Sequence, residues 1–351
     1  MSDRERIYLT GFGTVSTLGA SPESPEFPHA LAAAPAGAPG PRRIADFAPE
    51  RFIPEDEARR MDRFTQLGYA AVQRALEHSG LAVGPENRER IGIILATCFG
   101  PLDSTVGFLS KVIRDGAKKA PAAVFPNTVY NAFTGKITIG FGFHGTNSTV
   151  SGCNALTYGV EMIRAGLDDA MVVGGCEELA PTIVRGFERG GFEADLALGE
   201  GAAALVIERE SFARARGARL LAEVLDYGVA NGIGAVCEPF PVDAEALTWA
   251  MSQALERSGV DPAAVTHVST AANGLAALDA AEAQALANVF GDRQPERTAS
   301  KRVLGETLGA AGGFAAIAGA GALATGGRGL ALVNAVDFGG SVSSILFAPA
   351  A

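Results

Sequence analysis

No stretch of eighteen or more uncharged apolar residues occurs in this 351-residue chain, so a membrane-crossing helix is not expected. The opening residues, MSDRERIYLTGFG, are charged and then strand-like, with no signal-peptide core, and the chain is read as cytoplasmic. Cysteine is scarce. Cys98, Cys153, Cys176 and Cys237 stand far apart without a CxxC pair, which argues against a zinc site or a disulfide framework and leaves four free thiols and no metal. There is also no basic stripe to follow a nucleic-acid backbone: Asp and Glu (39) outnumber Lys and Arg (29) for a formal net charge of −10, so nucleic acid is not an expected partner. A G-x-G at Gly11 and Gly13 lacks the third glycine and the downstream acid of a dinucleotide-binding turn.

What is present is apolar. Hydrophobic residues make up 48% and charged residues 19%, and the length exceeds what one core usually serves, so two lobes are expected. Ile7–Thr10 reads as a strand entering glycine turns, and residues 21–54, rich in Pro and Ala, as an irregular cap. The spacing of Met61, Phe64, Leu67, Ala71 and Leu76 predicts a helix over Ala58–Ser79, stopped by Gly80. Ile91–Ala96 and Met171–Val173 are continuous apolar runs of the kind found in mainly parallel sheets covered on both faces. Ala202–Ile207, Val265–Ser269, Leu330–Val333 and Ser344–Phe347 add strands, with helices over Ala244–Ser258 and Ala280–Val289 between them. Alternation of this kind is α/β. The halves look loosely alike, with a join near Arg209–Gly217, but the sequence does not by itself demonstrate a repeat.

Taken in order, several segments resemble the ketosynthases that condense carrier-protein thioesters. They are RIYLTGFGTVSTLG, MDRFTQLGYAAVQRALEHSGL, NAFTGKITIGFGFHGTNSTVSGCNA, EMIRAGLDDAMVVGGCEEL, LGEGAAALVIE, HVSTAANGLAALDAAEAQALANVFG, ASKRVLGETLGAAGG and LVNAVDFGGSVSS. The resemblance implies a thiolase-like five-layer αβαβα core of two similar halves, 1–208 (with a cap at 20–57) and 209–351. It also implies a nucleophilic cysteine at a sharp strand-to-helix turn. Gly152 and Cys153 fit that turn, yet the interval from Gly145 to Gly175 is about five residues short, and a gap-free count back from Gly174 puts Thr149 there instead. Both candidates stay open.

Two histidines of the family polarise the extender carbonyl and stabilise the enolate. In the first position, within Thr270–Leu275, stands Ala271; in the second, within Lys301–Gly312, stands Glu306. His267 lies four residues before Ala271, while His29, His78 and His144 are expected at the surface or in caps. Lys301 is expected in an ion pair with Glu306 or Glu282, and Asp279 and Glu282 as structural acids.

The pattern looks like a chain-length factor, the ketosynthase-β subunit of type II polyketide systems, which pairs with an active ketosynthase-α. By resemblance, Asn131, Phe133, Asn147, Thr149 and Ser151 belong to the interface. Val106, Phe108, Leu109 and Val112 would line the end of an acyl tunnel, with Phe133 reaching towards the partner's pocket. No cofactor is expected beyond the phosphopantetheine of a partner acyl carrier protein, whose docking, this chain being acidic, is expected mainly on the other subunit. Reduced polyene products are expected over aromatic ones. The alternative is a stand-alone acyltransferase or thioesterase-like acyl-enzyme using Cys153.

Overall fold

The computed structural model describes residues 5–18, 26–37, 40–192, 196–232, 239–324 and 329–350; Cys237 lies outside them. The first half runs β1 (Ile7–Val15), α1 (Phe27–Ala33), α2 (Glu55–Ala58), α3 (Arg63–Ser79), β2 (Ile91–Thr97), α4 (Leu102–Asp115), α5 (Ala132–Phe141), β3 (Asn147–Ser151), α6 (Ala155–Arg164), β4 (Ala170–Glu177), α7 (Pro181–Arg189) and β5 (Gly201–Arg209). The second continues with α8 (Glu210–Ala215), β6 (Ala222–Asn231), α9 (Ala244–Ser258), β7 (Val265–Ser269), α10 (Ala276–Phe290), β8 (Glu296–Thr298), α11 (Ser300–Leu304), α12 (Ala311–Ala324), β9 (Leu330–Val336) and β10 (Ser341–Pro349).

Strand order makes the repeat explicit. The first half reads β3-β2-β4-β5-β1, and the second, taken from its own outer edge, reads β8-β7-β9-β10-β6. Pairing directions agree as well: β2 is parallel to β3 and β4, as β7 is to β8 and β9, whereas β5 and β10 are antiparallel to both neighbours. The halves meet where Ile7, Tyr8 and Leu9 pair with Val224, Glu223 and Ala222. The expectation of mainly parallel sheets is corrected for β5. Its near-continuous burial arises from helices covering both faces rather than from pairing direction.

Alternate strand residues point to different layers. Ile94, Val173 and Leu205 face inward to the central α6 and α12, where they join Phe314, Val333 and Ile345 in one core. Ile93 and Val206 face outward to Phe64 and Leu67 of α3 and Phe133 and Ile137 of α5. Val268 and Leu332 do the same towards Leu247 and Met251 of α9 and Leu286 of α10. The result is five layers, αβαβα.

Two boundaries differ from the sequence reading. The helix expected from Ala58 begins at Arg63, because the Asp62 side chain accepts the Thr65 N–H (2.9 Å) and caps the new first turn. The cap region is not wholly irregular: Pro28 sits in the first turn of α1, and Phe27 and Leu31, four apart, bury against the central layer beside Phe314.

Candidate active centre

Strand β3 ends at Ser151, Gly152 turns with φ +101°, and Cys153 and Asn154 lead into α6. This is the strand-to-helix elbow, and the structure puts Cys153 there. Thr149 lies mid-strand, paired with Leu95, its hydroxyl 2.6 Å from that of Thr134 on α5. The elbow is followed by α6, a helix of ten residues.

The elbow thiol is in poor surroundings for a nucleophile. Cys153 is buried, its Sγ faces the carbonyls of Ser341 (3.5 Å) and Ala335 (3.6 Å), and the void beside it, lined by Ala96, Leu156, Gly312 and Ser343, measures about 10 Å³. That is the room of about one water. Burial first, then the Asp337 carboxylate, push the thiol up to about 12, against Ser343 and Lys301, which act the other way. The start of α6 would ordinarily favour a thiolate; here desolvation outweighs it.

Glu306 is fully buried and fully partnered. Lys301 Nζ lies 2.8 Å from its Oε2, Asn273 Nδ2 donates to the same oxygen (3.0 Å), and the Leu308 N–H donates to Oε1 (2.9 Å). Lys301 also donates to the Val336 carbonyl (3.1 Å) and lies 5.3 Å from the Phe240 ring centre. Its expected ion pair is therefore with Glu306. Glu282 instead accepts the Ala271 N–H and Asn334 Nδ2, both at 2.9 Å. Asp279 accepts the Asn273 N–H (3.0 Å) and pairs with Arg302, so both acids are structural. Leu308 has φ +48°, a strained value for a side chain with a Cβ, and its turn is held from two sides, by Glu306 and by Glu177, which accepts the Gly309 N–H (3.1 Å).

No histidine enters this network. His267 is hydrogen-bonded to Thr298 (3.0 Å), His78 to the Phe12 backbone, His144 to Glu89, and His29 is exposed on α1. Over Lys301 lies an aromatic layer in which Phe338 is 5.5 Å from both Phe99 and Phe187 and 5.7 Å from Phe240.

The remaining singled-out residues divide by exposure. Phe133 does not reach outwards: it is buried in its own half, its ring 4.4 Å from that of Phe64, because α5 turns this face onto α3. Asn131, Asn147 and Ser151 are exposed along the open β3 edge. Val106, Phe108 and Val112 of α4 are half-buried and Leu109 is exposed, with Phe108 against Phe125 (5.5 Å). Three residues escaped the sequence reading. Asp337 could have been noticed as a lone carboxylate before Gly339 and Gly340; Glu177 and Glu178 as a charged pair ending an apolar strand.

Two family profiles match the chain, the β-ketoacyl synthase N-terminal domain over residues 30–213 and the C-terminal domain over 221–327. The chain belongs to the β-ketoacyl synthase family. A curated relative of Vibrio cholerae serotype O1, 3-oxoacyl-[acyl-carrier-protein] synthase 2, is 29% identical over 90% of this chain and 85% of its own. Among solved structures, the ishigamide ketosynthase/chain length factor superposes with a TM-score of 0.87 at 24% identity, covering 99% of this chain and 100% of that one. A type II polyketide synthase acyl-carrier protein in complex with its ketosynthase gives 0.83 at 20%, with the same coverage. These two likenesses are of fold. The centre thus brings together Ala271, a Glu306 paired with Lys301 and a buried thiol beside a void of about 10 Å³. Among the described residues, no helix is long and apolar enough to cross a membrane.

Proposed function

We propose that this chain is a non-condensing subunit of a type II polyketide synthase, a chain-length factor that pairs with an active ketosynthase and shapes its acyl tunnel. The observation that carries this reading is the Lys301–Glu306 pair, buried where a catalytic histidine is expected. An ionised carboxylate there repels the enolate that decarboxylation creates and cannot donate to an oxyanion. Loss of one general acid or base costs roughly 100- to 10,000-fold, and here both positions are changed.

A partner surface is supported by where apolar side chains remain open. Among the described residues, six of the eleven exposed large hydrophobics fall between Leu109 and Ile139: these two and Ile113, Phe125, Val129 and Tyr130. Ile139 lies on α5, which packs against the edge strand β3, and such open apolar side chains fit a covered interface. The same region carries Lys111, Arg114, Lys118 and Lys119, all exposed, in a chain of net charge −10. Those cations lie within the region read as covered by the partner, so docking of an acidic carrier protein bearing a phosphopantetheine-linked chain is proposed mainly on the other subunit. A polyene product is part of this proposal. The stand-alone acyl-enzyme reading finds little support in a thiol beside a void of about 10 Å³.

The test is co-expression with the neighbouring ketosynthase, then intact mass spectrometry of the complex after incubation with an acylated carrier protein. An acyl adduct on the partner alone is expected; an adduct on Cys153 would overturn the proposal.

A further inference from the structure

We propose that Asp337 is a positioning residue that holds the elbow thiol of Cys153 protonated and unreactive by presenting a buried carboxylate to the turn at Gly152. Asp337 follows β9 and opens the turn into β10. Its Oδ1 accepts both turn donors, the N–H groups of Gly339 (2.8 Å) and Ser341 (2.9 Å). Oδ2 is thereby left to face the elbow, so close that any side chain at residue 152 would collide with it. The left-handed φ of Gly152 and this approach both require glycine.

Around the sulfur, oxygen predominates. The carbonyls of Ser341 and Ala335 stand 3.5 and 3.6 Å away, and Asn154 Oδ1 stands at 3.8 Å. They suit an S–H donor and repel a thiolate. Two groups act the other way. Ser343 Oγ donates to the sulfur at a long 3.8 Å, and Lys301 is committed to Glu306 and the Val336 carbonyl. The four elements around the elbow, α6, α11, β9 and β10, therefore supply one cation already paired and one carboxylate whose free oxygen lies against the turn at Gly152. Where a helix N-terminus ordinarily activates a cysteine, burial opposes it here and Asp337 adds to that opposition.

The test compares wild type with Asp337→Asn in the full chain. Asparagine retains an oxygen for the Gly339 and Ser341 donors and removes the charge. Iodoacetamide labelling at pH 8.5, read by peptide mass mapping, reports thiolate, since the sulfur–carbon bond forms as iodide leaves. Cys176, whose burial and neighbouring acids do not include Asp337, serves as the internal reference. Each unit lost from the thiol pKa raises the thiolate fraction about tenfold, so Cys153 labelling relative to Cys176 is expected to rise in Asp337→Asn and in Asp337→Ser by that factor per unit. An unchanged ratio with native circular dichroism overturns the assignment. Loss of the fold in both variants also overturns it, by making Asp337 a structural cap. The proposal takes its biological meaning from the non-condensing reading, but the two fail separately: that reading fails when a carrier-bound acyl group transfers to Cys153 of the wild-type chain.

Discussion

The two halves share one strand order and finish their open edges differently. In the first half the edge is β3, five residues without a charge, Asn147 to Ser151, packed against α5, which carries exposed Ile139. In the second it is β8, only three residues, two of them the charged Glu296 and Arg297. A short charged edge resists pairing with another chain, and a longer uncharged one invites it. The difference originates between the second and third strands of each half. Residues 98–131 insert α4 and its following turns into the first half, whereas a single helix, α10, bridges the same interval in the second. One scaffold thus yields an edge suited to a partner and an edge suited to solvent.

The sharpest test of that division lies within α5, which serves both core and surface. Phe133→Ala is expected to cost about 3–5 kcal/mol in urea unfolding, as for other buried aromatic truncations. Ile139→Ala, on the exposed face of the same helix, is expected to stay within about 0.5 kcal/mol. A small effect at Phe133 would return it to the partner-facing role that its burial denies. In the second half the corresponding test is Lys301→Met, which strands the Glu306 carboxylate without its cation and is expected to destabilise by about 3–5 kcal/mol. Adding Glu306→Gln should recover part of that loss, because the stranded charge is gone while the amide oxygen can still accept the Leu308 N–H.

Much of the fold was legible in the sequence because it rests on long apolar runs: Val265–Ser269 and Ala244–Ser258 form at the expected residues. The cap helix α1 was not legible. Its two anchoring residues, Phe27 and Leu31, acquire meaning only through Phe314, nearly 300 residues away in sequence. The centre was half legible. Motif spacing singled out Ala271 and Glu306, but the choice between Cys153 and Thr149 depended on where β3 ends and α6 begins, which spacing alone does not say. Asp337 acts across a turn, and no local pattern shows which oxygen of a carboxylate is already used.

Edge substitutions extend the comparison. Ile113→Asp with Ile139→Asp is expected to weaken co-purification with a partner ketosynthase by about 100-fold or more, roughly 3 kcal/mol, while Glu296→Ala with Arg297→Ala on the opposite edge leaves it unchanged. Equal effects at both edges would remove the distinction between them.

Stability should also answer pH through two neighbouring carboxylates of the first half. Glu177 and Glu178 end β4, and burial raises both to about 7, against hydrogen-bond donors that pull the other way: Cys98, Phe99, Gly309 and Thr97 for Glu177, and Asp103 for Glu178. Because the folded value lies above the ordinary 4.5, each contributes stability that is complete below pH 4.5 and lost as pH rises through 7. The loss is up to about 3 kcal/mol for Glu177 and less for the more accessible Glu178. Unfolding measured from pH 5 to 8 should show the decline, and Glu177→Gln should flatten it.

The smallest expected effect decides the role of Thr149. Its hydroxyl and that of Thr134 bind each other at 2.6 Å between β3 and α5, with Thr134 fully buried. Thr149→Val removes one partner, strands the other and is expected to cost about 1 kcal/mol. Thr134→Val added to it should recover part of the loss, since two apolar groups of the same shape then meet where two hydroxyls did. A nucleophile would behave otherwise: stability would hardly move in Thr149→Val, and any acyl adduct on this chain would disappear. A thermal melt of the single and double variants separates the cases, because recovery in the double variant can arise only if the hydroxyl at 149 serves the joint between strand and helix.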